Sequence, residues 1–291
     1  MYRTAIITDE ISQDLRIAAE LARKYELDSL EIRSVNEKNP FQMDKQDFVD
    51  IKNIADEYGF TICGIGTPFF KCDLDDPAQV YEHLEQLKRM MDVCHLWDTK
   101  IVRGFTFWRG DKCSEVPFDR ICENFIPVVD IVKDAGVKLV LESEPACWVH
   151  DISVQVKMLE MINNPSVAAL YDPGNEIAAN ASQPPYPEGY NMLRKYIQHV
   201  HIKDMKCSAK GMEPALLGQG DVDFHGIFEA LKADGYDGTV SVETHFRIKA
   251  KMDEDLLVRP QGSGFSEGGY EASEQYLQIL RDEYQWKEIL P

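Results

Sequence analysis

Residues 196–205, YIQHVHIKDM, combine the apolar character of a buried strand with side chains that a protein core does not readily accept. Ile197, Val200 and Ile202 are the β-branched residues typical of a core strand. The polar positions interleaved with them are His199, His201, Lys203 and Asp204. Because burying a charge is costly unless it is paired or bound to a metal, this stretch predicts charged partners or a cation from elsewhere in the chain.

Seven further stretches have the same short, β-rich apolar character, which gives eight strand candidates. In chain order the eight are residues 4–8, 29–33, 61–66, 100–104, 137–141, 167–171, 199–203 and 239–243. Between them lie stretches with apolar residues at three- and four-residue spacing, such as LRIAAELARKY, AQVYEHLEQLKRMMDVC, FIPVVDIVKDAG and FHGIFEALKADG. The last two end at Gly136 and Gly235, where a helix C-terminal glycine is expected.

Eight strands that each precede a helix predict an α/β fold, a single (β/α)₈ TIM barrel over residues 1–291. The longest connections are PGNEIAANASQPPYP, MKCSAKGMEPALLGQGDVD and residues 244–269, and all of them follow strands. They are therefore expected over the C-terminal mouth of the barrel, where active sites of this fold are built.

Charge and composition narrow the classes of partner and the compartment. With 31 basic and 50 acidic residues the net charge is −19, which disfavours nucleic acid and anionic membrane surfaces. The seven cysteines form no C-x-x-C pair, so we expect reduced thiols, and no apolar run approaches the length of a membrane span. These features predict a cytoplasmic protein with a small-molecule substrate. The apolar positions of residues 270–286 suit either barrel packing or a homo-oligomer contact.

The last four predicted strands end with side chains that can bind a metal. Glu142 and Glu144 follow the fifth strand, Asp172 the sixth, His201 lies in the seventh and Glu243 ends the eighth. One imidazole and three carboxylates around a point form a mostly oxygen site, suited first to Mn²⁺, with Mg²⁺, Co²⁺ or Zn²⁺ as alternatives. Glu144 shares a face with Glu142, but Glu142 is the favoured ligand because it directly ends the apolar run.

The motifs ITDEIS, LVLESEP, YDPGN, HVHIKD, GQGDVDF and VSVET, in this order, resemble those of the xylose isomerase-like barrel superfamily of sugar and sugar-phosphate isomerases and epimerases. The resemblance runs from Ile7 to about Tyr284. It implies that one divalent metal is bound by Glu142, Asp172, His201 and Glu243. It also implies that Glu142 and Glu243 face the substrate and move protons.

Two positions depart from the pattern of epimerases that act on free ketohexoses. Those enzymes usually have a histidine three residues after the aspartate and an arginine six residues after the metal-binding histidine. This chain has Asn175 and Cys207 there. The resemblance therefore supports the metal site but not that substrate.

Several other residues near the predicted mouth are candidates for contact with a substrate. Lys203 either neutralises carboxylates or polarises a substrate oxygen. The remaining candidates are Glu144, Asn175, His150, His245, Trp108 and Phe70, the aromatic residues among them being equally suited to packing between loops. His199 is expected to be a hydrogen-bonded core residue, and Glu31 a rim acid or a salt-bridge partner of Arg3 or Arg33. GQGDVDF is a poor phosphate motif and predicts a turn into a helix with Asp223 as N-cap.

The predicted chemistry is isomerisation or epimerisation of a sugar, sugar phosphate or polyol. A divalent ion that coordinates a carbonyl oxygen and a neighbouring hydroxyl acidifies the C–H group between them and stabilises an enediolate, and the paired glutamates move the proton. Loss of a β-hydroxyl from the same intermediate would be dehydration, so a lyase of the inosose or dehydroshikimate type is the alternative. An abasic-site endonuclease is disfavoured by the charge, and a non-enzymatic sugar- or metal-binding barrel would bind metal without turnover.

Overall fold

The computed structural model of the chain describes residues 2–110, 115–208, 211–248 and 254–286. Within these ranges eight parallel strands close into a barrel. They are β1 (Arg3–Ile7), β2 (Ser29–Ile32), β3 (Thr61–Phe69), β4 (Ile101–Gly104), β5 (Lys138–Glu142), β6 (Val167–Tyr171), β7 (Ile197–Ile202) and β10 (Thr239–Val242). The wall order is β1-β10-β7-β6-β5-β4-β3-β2. The predicted α/β class and all eight predicted strands are confirmed.

Helices surround the barrel and pack their apolar faces on its wall. They are α1 (Leu15–Lys24), α2 (Lys45–Tyr58), α3 (Pro77–Trp97), α4 (Phe118–Asp134), α5 (Ile152–Ile162), α6 (Pro173–Ala178), α7 (Tyr190–Leu193), α8 (Phe224–Ala233), α9 (Glu254–Val258), α10 (Gly262–Ser266) and α11 (Gly269–Asp282). Strands buried on both faces explain the continuous apolar runs, since every residue of β6 is buried. No helix in the described ranges is both long and apolar enough to cross a membrane.

The predicted helix ends are present. Gly136 and Gly235 adopt positive φ angles of 63° and 66° just beyond α4 and α8, a conformation that glycine adopts at little cost. Asp223 caps α8 by accepting a hydrogen bond from the Gly226 amide at 2.9 Å, which confirms the turn predicted from GQGDVDF.

The connection after β7 contains a structured element that the sequence did not indicate. Strands β8 (Met205–Ser208) and β9 (Gly211–Pro214) form an antiparallel hairpin, separate from the barrel sheet. After β10, the short helices α9 and α10 follow. Both connections contribute residues to the mouth of the barrel, as expected for loops at strand C-termini.

Helix α11 packs against the barrel rather than presenting an apolar face to solvent. Tyr276, Leu277 and Leu280 are fully buried. The Tyr276 hydroxyl accepts a hydrogen bond from the Asp204 amide at 2.9 Å and donates one to the Ala215 carbonyl at 2.8 Å. These apolar positions are therefore used in packing within the chain, and a homo-oligomer contact would have to use other surface.

Candidate metal centre

The ends of β5, β6, β7 and β10, which are neighbours in the barrel wall, bring four metal-capable side chains together. Glu142, Asp172, His201 and Glu243 each offer a ligand atom within 4.8 Å of the others, and all four are buried. Glu142 belongs to this group and Glu144 does not. We call these four residues on four consecutive strands the metal-ligand arc.

His201 is oriented by a carboxylate on the side of its ring that faces away from the other ligands. Its Nε2 lies 3.2 Å from Glu31 Oε1, and His199 Nε2 lies 2.9 Å from Glu31 Oε2. Glu31 is thus a shared acceptor for two imidazoles, and not the rim acid or the salt-bridge partner of Arg3 or Arg33 that we expected. The reason is its position inside the barrel, where it meets β7 across the interior. His199 is a hydrogen-bonded core residue, as predicted.

The residues present fit a divalent cation. His201 Nδ1 is buried and makes no hydrogen bond with any described residue, although it lies 3.3 Å from Glu243 Oε2 and 4.0 Å from Asp172 Oδ2. A neutral imidazole whose other nitrogen donates to a carboxylate is the usual arrangement of a metal-binding histidine. Three carboxylate oxygens and one imidazole nitrogen form a donor set suited to Mn²⁺, Mg²⁺, Co²⁺ or Zn²⁺.

Asp172 remains difficult to ionise although a lysine contacts it. Lys203 Nζ lies 2.6 Å from Asp172 Oδ2 and 2.9 Å from Glu243 Oε2. Burial, together with the neighbouring Glu243 and Glu142, nevertheless raises the pKa of Asp172 to about 7 despite the opposing effect of Lys203. Burial disfavours protonation of His201, but the Glu31 and Glu243 carboxylates outweigh it and raise the pKa of His201 to about 10. A divalent cation would relieve this repulsion among the acids.

Glu243 is held from two sides. Its Oε1 accepts a bond from Arg33 Nη1 at 2.5 Å, and Arg33 also contacts Asp9 at 3.1 Å and Glu10 at 2.8 Å. Burial acts to raise the pKa of Glu243, but Lys203 and other nearby cations hold it well below its usual range. Glu243 is therefore a fixed, ionised carboxylate. The part played by Arg33 was missed from sequence because it depends on contacts between the ends of β1, β2 and β10.

A cavity of about 350 Å³ opens beside the metal-ligand arc. Glu142 and Glu243 line it, together with Lys203, Asn175, Glu144 and His245. Asp172 and His201 are not among its lining residues, so these two lie behind the glutamates. The two glutamates are thus the members of the arc that can meet both a cation and a molecule in the cavity.

Two of the predicted contact residues make defined interactions at the cavity wall. Asn175 Nδ2 donates to Glu142 Oε1 at 2.8 Å and to the Ser143 carbonyl at 2.9 Å, which fixes the orientation of that glutamate. Glu144 accepts a bond from Lys71 Nζ at 3.0 Å. Lys71, which follows β3, was not identified from sequence because a lone lysine after a strand carries no recognisable pattern.

Two predicted contact residues lie away from the cavity. Phe70 is fully buried and stacks on Phe69 and Phe107 with centroid distances of 4.0 and 4.2 Å, so it is a core residue rather than a sugar-contacting one. His150 is also outside the cavity lining, because its ring turns back to contact the Trp148 carbonyl and the Asp151 carboxylate. Trp108 lines a smaller, adjoining cavity instead.

Close backbone approach explains the glycines of YDPGN and GQGDVDF. A Cβ atom on Gly174 would lie 2.4 Å from the Lys203 carbonyl oxygen, and one on Gly220 would lie 2.0 Å from Asp204 Oδ1. The Asp204 carboxylate accepts bonds from the amides of Gly218 and Gly220, both at 2.9 Å. The HVHIKD motif therefore supplies an inward-facing histidine and lysine and an aspartate that organises the following loop.

Comparison of this chain with known protein sequences agrees with the closed barrel and with the buried metal-ligand arc. Residues 19–261 match the family described as xylose isomerase-like TIM barrel. The chain belongs to that family. Among sequence relatives of this xylose isomerase-like barrel, an inosose dehydratase of Serratia proteamaculans is 25% identical over 166 residues, which is 50% of this chain and 54% of the relative. An inosose dehydratase of Yersinia enterocolitica is 22% identical, covering 66% of this chain and 72% of the relative. The match to the first of these spans only about half of that relative's length.

Solved structures share the architecture of this xylose isomerase-like barrel over nearly its whole length. A D-allulose 3-epimerase from Methylomonas sp. in complex with D-allulose superposes with a TM-score of 0.74 at 19% identity, covering 97% of each chain. The IOLI protein with a bound zinc atom superposes with a TM-score of 0.72 at 20% identity, covering 96% of this chain and 97% of that one. At this level of identity the likeness establishes the fold.

Proposed function

We propose that this protein is a sugar or polyol isomerase or epimerase that works with one divalent cation. One observation carries the proposal. Glu142 and Glu243, at the two ends of the metal-ligand arc, both line the cavity while Asp172 and His201 lie behind them. A cation bound by the four residues would act as a Lewis acid on substrate oxygens. The names of the relatives support this class of chemistry, since they include a sugar epimerase and inosose dehydratases.

In the proposed mechanism the two glutamates exchange the proton at a carbon next to a carbonyl. Glu243, kept ionised by Lys203 and Arg33, removes the proton, and Glu142, oriented by Asn175, returns one from the other side. Return to the same carbon gives an epimer and return to the neighbouring carbon an isomer. Lys203 also lines the cavity, and in the proposed mechanism its ammonium group donates to the substrate oxygen on which negative charge develops.

The decisive experiment is turnover of a polyol, ketose and inosose panel by Mn²⁺-loaded protein in heavy water. We expect deuterium at the carbon next to the carbonyl, with inversion, migration or loss of water distinguishing epimerase, isomerase and dehydratase. Glu142→Gln and Glu243→Gln should each lower turnover by about 10²-fold or more. Glu229→Gln, an exposed change on α8, is the matched control. Near-full activity of both active-site variants would overturn the paired-glutamate mechanism.

The remaining features of the proposal are a single domain over residues 1–291, Mn²⁺ as the native ion, a cytoplasmic location and a small-molecule substrate. The net charge of −19 supports the exclusion of nucleic acid and of anionic membranes as partners. Dehydration is retained as an alternative outcome because sequence relatives carry that activity in their names. An abasic-site nuclease is disfavoured by the same charge, and absence of turnover on the panel would favour a binding protein.

A further inference from the structure

A second cavity, of about 150 Å³, adjoins the one beside the metal-ligand arc and has a different charge. The two share Lys71, Arg103, Val258 and Pro260 in their linings. Four basic residues line the second cavity, and none of its described lining residues is acidic. They are Arg33, Lys71, Arg103 and Arg259. In a chain with 50 acidic and 31 basic residues, such a concentration of cations is a local feature that the overall composition opposes.

Three of these cations lie on the part of the rim beside the metal-ligand arc. Arg33 follows β2, Lys71 follows β3 and Arg103 lies in β4, three strands that are neighbours in the wall. We call these three residues the cation arc. Because β4 is next to β5, the cation arc continues the rim where the metal-ligand arc ends. A molecule whose reacting carbon lies at Glu142 and Glu243 would extend toward the cations.

Three of the four basic residues have carboxylate partners, one of them being Arg103 through Glu142. Arg33 contacts Asp9, Glu10 and Glu243, and Lys71 contacts Glu144. These pairs fix the side chains in place, so the arc is preorganised rather than flexible.

Arg103 and Arg259 retain donor capacity. Arg103 contacts Glu142 at 3.2 Å, and its buried Nε has no hydrogen-bond partner among the described residues. The Arg259 guanidinium stacks over the Trp108 ring at 4.8 Å and has no carboxylate partner within the described ranges. Lys71 Nζ lies 5.4 Å from the same ring. Trp108 therefore supports two cations beside the second cavity.

We infer that the substrate carries an oxyanion, a carboxylate or a phosphate, at the end remote from the reacting carbon, and that the second cavity binds it. This rests on the proposed function, which places the reacting carbon at the two glutamates. Fixed guanidinium and ammonium donors without an acidic neighbour in the lining match an oxyanion, since each can form charge-assisted hydrogen bonds with it. A neutral hydroxymethyl group would offer no charge to the Arg259 guanidinium, which has no carboxylate partner within the described ranges.

The test is calorimetric binding to Mn²⁺-loaded protein of three ketoses that differ only at C6: D-fructose, D-fructuronate and D-fructose 6-phosphate. We expect at least one of the anionic ketoses to bind about tenfold more tightly than D-fructose or better, with the preference weakening at higher salt. The carboxylate and phosphate arms then identify the oxyanion. Arg259→Gln should remove most of the preference for the anionic ketoses. Arg281→Gln, an exposed change of the same charge on α11, should preserve the preference.

Three results would each overturn the inference. They are equal binding of the neutral and anionic ketoses, no binding of either anionic ketose, and an unchanged preference for the anionic ketoses in Arg259→Gln. Binding is scored separately from deuterium exchange, so the two proposals fail in different ways. Tight binding of an anionic ketose without any proton exchange would contradict the proposed function while leaving the oxyanion subsite in place. Deuterium exchange together with equal affinities for the neutral and anionic ketoses would contradict the oxyanion subsite alone.

Discussion

His201 presents its two ring nitrogens to different carboxylates: Nε2 lies 3.2 Å from Glu31 Oε1, while Nδ1 faces Glu243 Oε2 at 3.3 Å. The Glu31 contact holds a proton on Nε2, so a cation would bind at Nδ1 by displacing the proton there. Glu31 thus decides which nitrogen of His201 can bind a cation, although it is not a ligand itself.

Glu31→Gln should weaken metal binding by about 10- to 100-fold while the barrel stays folded. The amide no longer stabilises the donated protons of His199 and His201, and the tautomer of His201 is no longer fixed. A chelator competition titration with Mn²⁺ measures the effect. Glu229→Gln, exposed on α8, should bind Mn²⁺ like the parent protein. Unchanged affinity in Glu31→Gln would mean that the Glu31 contact has no part in metal binding.

Removing the metal should lower the melting temperature at neutral pH. Glu142, Asp172 and Glu243 then repel one another with Lys203 as a close compensating charge. Mn²⁺ at about 100 times its Kd should stabilise the chelator-treated protein by about 2.7 kcal/mol, measured as a shift in thermal unfolding. A double variant with Asp172→Ala and His201→Ala should contain no stoichiometric metal by elemental analysis. Its melting temperature should not shift when Mn²⁺ is added. A metal-free protein that melts at or above the loaded one would contradict the site.

Gly174→Ala should disturb the metal centre through the backbone. The added methyl group would meet the Lys203 carbonyl oxygen at 2.4 Å, so α6 must move and carry Asp172 with it. We expect about 1–3 kcal/mol of destabilisation together with weaker Mn²⁺ binding. Gly64→Ala is the matched control, because the nearest atom to its Cβ would be Ile101 Cγ2 at an ordinary 3.5 Å. Equal behaviour of the two variants in urea unfolding and metal titration would rule out this role for Gly174.

Glu176 should make the protein less stable as the pH rises from about 4.5 to 8. Its buried carboxyl accepts hydrogen bonds from the Ile152 amide, and burial raises its pKa from 4.5 to about 8. Over this range the unfolded chain releases a proton that the folded chain retains, so the free energy of unfolding contributed by this group falls. Its contribution is fully present below pH 4.5 and is lost above pH 8.

Glu176→Gln keeps the acceptor oxygen for Ile152 and removes the titration. Relative to the parent, the variant should gain stability on going from pH 5 to pH 8.5, by on the order of a few kcal/mol. Urea unfolding at a series of pH values measures this difference, with the exposed change Glu188→Gln as control. Parallel pH profiles for Glu176→Gln and the parent would show that Glu176 titrates normally.

The barrel could be predicted from sequence because its signals are local. Residues such as Val167 to Tyr171 are apolar throughout since both faces of their strand are covered, and Gly136 marks a helix end through its own backbone conformation. Strand-end residues could likewise be assigned to one rim of the barrel. The sequence alone therefore predicts that Glu142, Asp172, His201 and Glu243 lie on the same side.

The sequence could not indicate contacts that depend on the direction in which a side chain points across the barrel. Glu31 was expected to be a rim acid or a salt-bridge partner of Arg3 or Arg33, but it points inward and meets two histidines from β7. Phe70 was a candidate for sugar contact or for packing between loops, and its buried ring stacks on other phenylalanines. Lys71 and Arg103 were not singled out, since their significance comes from the cavity that three neighbouring strands form together.

The separation of the metal-ligand arc from the cation arc divides the rim of the barrel into two segments that can change independently. The ligands of the first arc come from β5, β6, β7 and β10, whereas the second arc comes from β2, β3 and β4. Within the described ranges, the two arcs are connected by Arg33, which contacts Glu243, and by Arg103, which contacts Glu142 and Glu243. Redesign of the loop that holds Lys71, or of the segment that holds Arg259, would therefore retarget the barrel to new molecules while its reaction chemistry is kept.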